Sequence, residues 1–220
     1  MADLDTLEGY HIPSAASNTT FLRRLYGRAS LYYDILDWPL ERFRYRRLRR
    51  ELWQGLGGRI LDLGAGTGRN VPYYPQDAEV VTADLSPEML ERARRRLAAS
   101  GRKPQIAVVD ALDLDFRDGE FDACVSTFLF CVLPDDLQEQ ALREVKRILK
   151  PGGKVYLLEY IYSQNPWRRL WMRAMSPWVE ALYGARFDRD TRAHLLKAGF
   201  RIVEERFAHA DVILKLVGEK

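Results

Sequence analysis

The chain has 220 residues, 47% apolar and 30% charged, with 34 Lys and Arg against 31 Asp and Glu for a formal charge of +3. That length fits one domain with a substantial core, and the apolar fraction excludes wholesale disorder. Charges recur every few residues and leave no apolar run long enough to span a bilayer. The acidic start, Met1 to Asp5, predicts no export signal. Two cysteines, Cys124 and Cys131, make neither a disulfide framework nor a four-ligand metal site, which suits a reducing cytoplasm. The modest net charge is unevenly placed. Between Leu22 and Arg50 stand nine arginines against three acidic residues, a local +6 that leaves the rest of the chain at −3.

Residues 1–21 contain no Lys or Arg and little periodicity, and are expected to form an arm. From Phe21 the apolar residues Phe21, Leu22, Leu25, Tyr32, Ile35 and Leu36 recur near helical spacing, and Trp38-Pro39 marks a break. A second helix is expected over about 39–54, with Leu40, Phe43, Arg47, Leu48 and Leu52 on one side. From Gly57 strands and helices alternate. Arg59–Leu63, Glu79–Asp84, Gln105–Asp110 and Phe121–Ser126 are predicted strands. Ser86-Pro87 opens a helix to about Ser100, and Asp135-Asp136 opens another to Leu149. Pro151-Gly152-Gly153 precedes a strand from Lys154 to Tyr160. The tail, 201–208 and 211–217 around His209-Ala210, predicts an antiparallel pair. The alternation predicts a parallel sheet covered on both faces. The expectation is a single compact unit, with an N-terminal arm and helical cap over 1–56 and an α/β domain over 57–220.

Asp62-Leu63-Gly64-Ala65-Gly66-Thr67-Gly68 stands where a strand ends and a helix begins. Small residues there let the backbone turn sharply and approach a ligand, with free N–H groups beyond. Dinucleotides, nucleotides and simple turns compete for such a loop. The spacing is G-x-G-x-G, and Asp84 ends the next strand, where a carboxylate can take both hydroxyls of an adenosine ribose. Asp110-Ala111, ending the third strand, can address an adenine edge. His11, His194 and His209 are scattered and predict no metal site.

These residues, with Asp84-x-Ser86-x-x-Met89-Leu90, Asp110-Ala111-x-Asp113-Leu114, Asp118-Gly119-x-Phe121-Asp122 and the run from Leu142 to Gly153, resemble class I S-adenosylmethionine (SAM) methyltransferases over about residues 57–160. The resemblance implies an α/β, Rossmann-like seven-stranded sheet with SAM across the C-terminal ends of its strands. It implies cofactor contacts from Tyr33, Asp62, Gly64, Ala65, Gly66, Thr67, Gly68, Asp84, Leu85, Met89, Asp110, Ala111 and Thr127. The methyl sulfonium is already activated, so the protein mainly positions an acceptor in line.

The chain is similar to two related groups, ubiquinone/menaquinone C-methyltransferases and bacterial phospholipid N-methyltransferases, through Tyr33-Asp34, the glycine loop and Leu158-Glu159. It departs from the quinone pattern at Ile35–Leu40 and at Ala208–Leu214. Arginine mixed with Trp38, Tyr45 and Trp53, and again at Asn165–Trp178 with three Trp, two Met and three Arg, fits the headgroup boundary of a bilayer. Nucleic acid is the weaker reading of these arginines, since they belong to no recognised module. The expected activity is methyl transfer to the amine of phosphatidylethanolamine toward phosphatidylcholine. A demethylated quinol is the alternative acceptor, and a non-catalytic SAM-binding protein a minor one. Tyr26, Tyr33, Glu159 and Tyr160 are the catalytic candidates. Tyr32, Phe128, Phe130 and Tyr183 are further candidates to hold the methylated cation, and Arg28, Arg168, Arg186 and Arg189 to hold the lipid phosphate. The expected partners are the phospholipid and an anionic membrane surface, with no obligate protein partner, on the inner face of the cytoplasmic membrane.

Overall fold

A computed structural model describes residues 45–220. Tyr26, Arg28, Tyr32 and Tyr33, the first expected helix and most of the basic stretch lie outside the described residues. Helix α1 (Arg46–Trp53) leads into β1 (Arg59–Leu63), β2 (Glu79–Asp84) and α2 (Pro87–Ala99). Then come β3 (Ile106–Val108), β4 (Phe121–Thr127), α3 (Asp135–Ile148) and β5 (Leu149–Tyr160). Helices α4 (Pro166–Tyr183) and α5 (Thr191–Lys197) precede β6 (Arg201–His209) and β7 (Ile213–Glu219).

The seven strands form one sheet in the order β3-β2-β1-β4-β5-β7-β6. β1 to β5 pair in parallel, while β7 runs antiparallel between β5 and β6. The central strands are apolar almost without interruption because both faces are covered. Leu61, Cys124 and Leu157 face α3 and α5, and Ile60, Val125 and Leu158 face α1. The strand order reverses between β1 and β4, the crevice where an open α/β sheet holds its ligand.

Helix α1 belongs to the same core as the sheet. Tyr45, Leu48, Leu52 and Trp53 pack with Ile60, Tyr74 and Val80, so the packing runs on across residue 56. Each buried aliphatic side chain there contributes about 2 kcal/mol relative to exposure. Two expectations change. Tyr45 and Trp53, grouped with a bilayer-facing surface, are buried in this core. Arg47, placed on the inner side, is exposed and pairs with Glu51 at 2.7 Å, while Arg49 goes inside.

Other differences follow from pairing and caps. β5 starts at Leu149, which pairs with Phe121 before the register shifts between Phe121 and Ala123, so the Pro-Gly-Gly run lies within the strand. Helix α4 was not predicted as a helix. Asn165 caps it, its Oδ1 accepting the N–H of Trp167 at 3.0 Å and of Arg168 at 3.1 Å, and Gly184 ends it with φ 66°. The tail is the antiparallel pair expected, turned at Ala210.

Candidate functional site

The loop from Gly64 to Gly68 leaves β1 beside the end of β2. Asp84 closes β2 and accepts the N–H of Gly66 through Oδ2 at 2.8 Å and of Ser86 through Oδ1 at 2.9 Å. Each oxygen keeps a second lone pair, enough for a ribose diol. Desolvation raises the Asp84 pKa even against these two bonds. Gly66 has φ 55°, and a Cβ there would meet nothing within 4 Å, so its missing side chain leaves an open cradle. Gly68 is small for another reason: a Cβ would lie 2.9 Å from the Ala93 Cα of α2. Arg96 Nη1, also on α2, donates to the Thr67 carbonyl at 2.7 Å and to Thr67 Oγ1 at 2.9 Å, pinning the loop from outside. Ala65 is tied to β2 through its N–H on the Ala83 carbonyl at 2.9 Å.

Asp62 stands beneath the loop with no exposed surface. Its Oδ1 accepts from Asn70 Nδ2 at 2.8 Å and its Oδ2 from the Tyr74 hydroxyl at 2.5 Å. Burial pushes its pKa up to about 6, opposed by Tyr74, Asn70 and Arg49. Asp62, expected as a cofactor contact, has no exposed surface in this structure, where its oxygens hold Asn70 and Tyr74 beneath the loop. Met89 is likewise buried, on α2, with its N–H on the Ser86 hydroxyl at 3.2 Å.

Asp110 follows β3. Its Oδ1 accepts the Leu112 N–H at 2.9 Å, while Oδ2 is buried with no hydrogen-bond partner. Burial raises its pKa. A buried carboxylate oxygen without a donor is costly, and an adenine amine would supply one. Half-buried Leu85 and Ala111 flank the two acids. The diol acceptor at Asp84, the open cradle at Gly66 and the orphaned Asp110 oxygen therefore fit SAM.

Across the crevice, β4 ends at Thr127 and Phe128 takes φ 63°, a conformation uncommon for a bulky side chain. The bend is held by the Phe128 N–H on the Leu158 carbonyl at 2.8 Å. Glu159 accepts the N–H groups of Phe130 at 3.1 Å and Cys131 at 2.9 Å. Its burial raises the carboxyl pKa to about 7. Glu159, expected as catalytic, is buried, and its two oxygens hold the loop in this structure. Phe130 is 0% exposed and sits in the core, so its ring offers no surface to an acceptor. Phe128 and Tyr160 do stand together. Their rings stack at 4.8 Å, Tyr45 lies 5.3 Å from Phe128, and the Tyr45 and Tyr160 hydroxyls meet. Phe187 extends the wall, 5.7 Å from Tyr160.

Of the expected arginines that are described, two already hold carboxylates. Arg168 pairs with Asp211. Arg186 is paired with Asp188 at 2.7 Å and Glu180 at 3.3 Å. Arg189 keeps a buried Nε without a hydrogen-bond partner. The Tyr183 side chain lies outside what is described. Three residues escaped the sequence reading: Arg49, Asn70 and Tyr74. The Arg49 guanidinium is buried, donates to Asn70 Oδ1 at 2.8 Å and Thr127 Oγ1 at 2.7 Å, and lies 5.6 Å from the Phe128 ring centre. The one local signal for it was a helix carrying more arginines than a single solvated face needs.

A methyltransferase domain model matches residues 60–153. The chain is 38% identical over 106 residues to a phosphatidylethanolamine N-methyltransferase of Cereibacter sphaeroides, covering 47% of this chain and 51% of that one. It thus spans about half the length of that relative. It is 34% identical to a demethylmenaquinone methyltransferase of Clavibacter sepedonicus over 71% of both chains. Among solved structures it is similar in fold to a SAM-dependent methyltransferase of Thermotoga maritima named a possible histamine N-methyltransferase, with TM-score 0.67, 23% identity and coverage of 90% and 99%. With the glycine loop, the two acids and the sheet order, these matches establish that the chain belongs to the class I SAM-dependent methyltransferases, with SAM as its cofactor.

Proposed function

We propose that the chain transfers methyl groups from SAM to the amine of phosphatidylethanolamine, toward phosphatidylcholine, at a bilayer surface. The observation that carries this reading is the aromatic wall of Phe128, Tyr160 and Phe187 beside the cofactor crevice, backed by the buried Tyr45. An amine becomes a permanent cation as it is methylated, and aromatic faces hold such cations without needing a counter-ion. Phe128 already has a guanidinium within cation–π range, that of Arg49. SAM supplies an electrophilic methyl group, and the residues of this chain orient it and exclude water. An alkylammonium must first lose its proton, since its ordinary pKa is near that of lysine, about 10. The paired hydroxyls of Tyr45 and Tyr160 are the polar atoms of the wall, which supports Tyr160 as the group that accepts a hydrogen bond from the amine and relays its proton, passing its own on to water. Among the described residues no helix is long and apolar enough to cross a membrane.

A second acceptor is favoured by one observation. The demethylmenaquinone methyltransferase matches over a larger share of both chains than the phosphatidylethanolamine enzyme does. A flat quinol would stack on the same rings. The test is methyl-labelled SAM presented with phosphatidylethanolamine in mixed micelles and, separately, with a demethylmenaquinol. Labelled mono-, di- and trimethylated lipid on thin-layer plates supports the lipid amine. Label confined to the quinol overturns it.

A further inference from the structure

We infer that helix α4 docks the enzyme on the membrane through an outward stripe of tryptophans. This deepens the reading above and rests on its bilayer-resident acceptor. At about 100° per residue, Trp167, Trp171, Ala174 and Trp178 fall on one line, with Leu170 and Met175 on its two margins. The three indoles are 79%, 65% and 68% exposed, and Leu170 61%. The opposite side carries Met172, which is buried, and the half-buried Ser176 and Val179. The helix therefore turns its larger apolar face away from the body. An ordinary surface helix does the reverse.

The helix is firmly rooted. Asp211 Oδ2 accepts the Ser163 hydroxyl at 2.5 Å and the Gln164 N–H at 2.8 Å, and Asp211 also pairs with Arg168. Arg169 Nε donates to the Ser163 carbonyl at 2.8 Å, and the Arg173 guanidinium sits 5.8 Å from the Tyr162 ring centre. So the arginines hold the shoulders and underside while the indoles project.

Charge selects the occupant. Helix α4 has three arginines and one acid, Glu180. Arg168, Arg169 and Arg173 stay exposed beside and behind the stripe, a net positive surround that repels a second copy and complements an anionic bilayer. Indole is the side chain that settles at the headgroup boundary. The geometry also connects to the site. Below Arg173 the rings of Tyr162, Phe187, Tyr160 and Phe128 follow one another at 5.7, 5.7 and 4.8 Å, leading from the underside of α4 to the cofactor crevice. A headgroup taken up beside α4 meets aromatic faces all the way in.

The experiment compares the full chain with a Trp167→Ser, Trp171→Ser, Trp178→Ser variant, whose unchanged unfolding midpoint establishes that it folds. Co-sedimentation with vesicles of phosphatidylethanolamine and phosphatidylglycerol should weaken roughly tenfold or more. Tryptophan emission of the parent should be quenched by lipids brominated in the acyl chain, and this quenching should vanish in the variant. Methylation of a monomeric short-chain phosphatidylethanolamine should be equal in the two proteins. Equal vesicle binding, or no quenching of the parent, overturns the docking surface. So does a lipid-free dimer, seen by sedimentation equilibrium, that only the variant lacks. Loss of vesicle binding in the variant with no methylation of any phosphatidylethanolamine by either protein supports docking and sinks the acceptor reading instead.

Discussion

Replacing Glu159 by Gln separates a loop clamp from a proton acceptor. Burial holds the folded Glu159 carboxyl at about 7 against an ordinary 4.5. Between those values the unfolded chain has released the proton while the folded chain keeps it. The unfolded state then binds fewer protons, so stability falls as pH rises through this window and levels off above about 7. At about 1.4 kcal/mol per pH unit the displacement amounts to about 3 kcal/mol. Gln carries no charge and has no such dependence. It should cost a roughly constant 1–3 kcal/mol, because its amide faces one of the two loop N–H groups that Glu159 now accepts. Urea unfolding of both proteins from about pH 4 to about pH 8 should therefore show the advantage of the parent shrinking by about 3 kcal/mol. Asp62, pushed up to about 6 by its own burial, contributes equally to both proteins and cancels. A difference that stays flat across the range refutes the burial argument. Activity divides the two roles. A clamp that holds Phe128 in place predicts a lower kcat with an unmoved pH profile, whereas loss of an acid limb near pH 7 would make Glu159 the base.

Asp110→Asn keeps one oxygen for the Leu112 N–H but turns an amide toward the adenine amine, so SAM affinity should fall about ten- to a hundredfold by calorimetry; equal affinity removes Asp110 from the adenine. Gly66→Ala should cost only about 1–2 kcal/mol in stability for its left-handed backbone, yet abolish SAM binding by filling the cradle. Gly68→Ala should cost more, since its Cβ meets Ala93 backbone at 2.9 Å; thermal unfolding that reverses this ranking contradicts the loop assignment. Arg49→Met strips the donor from Asn70 and Thr127 and should destabilise by about 2–4 kcal/mol in urea titrations. It should also raise the Asp62 pKa further, because Arg49 now lowers it, and an NMR titration that finds Asp62 unmoved argues against the coupling.

The central strands were legible because they are buried on both faces and so appear as continuous apolar runs closed by glycine or acid. The cofactor half of the site was legible for a related reason: Gly66, Asp84 and Asp110 each act from the end of their own strand, so local spacing carries the chemistry. Asn70 and Tyr74 gave no such signal. They support Asp62 from across a loop, and nothing in their spacing distinguishes them from solvent-facing residues. Helix α4 was hidden by its own orientation. Its apolar stripe faces out, it contains Pro177, and the residues that touch the body, such as Met172, do not mark an inward face. Helix α5, seven residues long, is too short to establish a period.

Composition treated the two Arg/Trp-rich segments as alike, and the fold treats them as opposites. In α1 the indole of Trp53 lies in the core beside Tyr74, at 4.6 Å between rings, while Arg46, Arg47 and Arg50 face solvent and only Arg49 enters the site. In α4 the guanidinium groups are drawn back onto Asp211, Ser163 and Tyr162, and the indoles are left outside. The cause is what each helix packs against. α1 lies over Ile60 and Val80, which reward an apolar inner face. α4 springs from a polar corner built around Asp211, which takes arginine and gives tryptophan nothing to cover it. Within α1, then, arginine by itself does not mark a membrane surface, since Arg49 supports Thr127 and the Trp53 beside it is structural. Exposed indole on a rooted helix is the better guide, and of the two segments α4 alone presents it among the described residues.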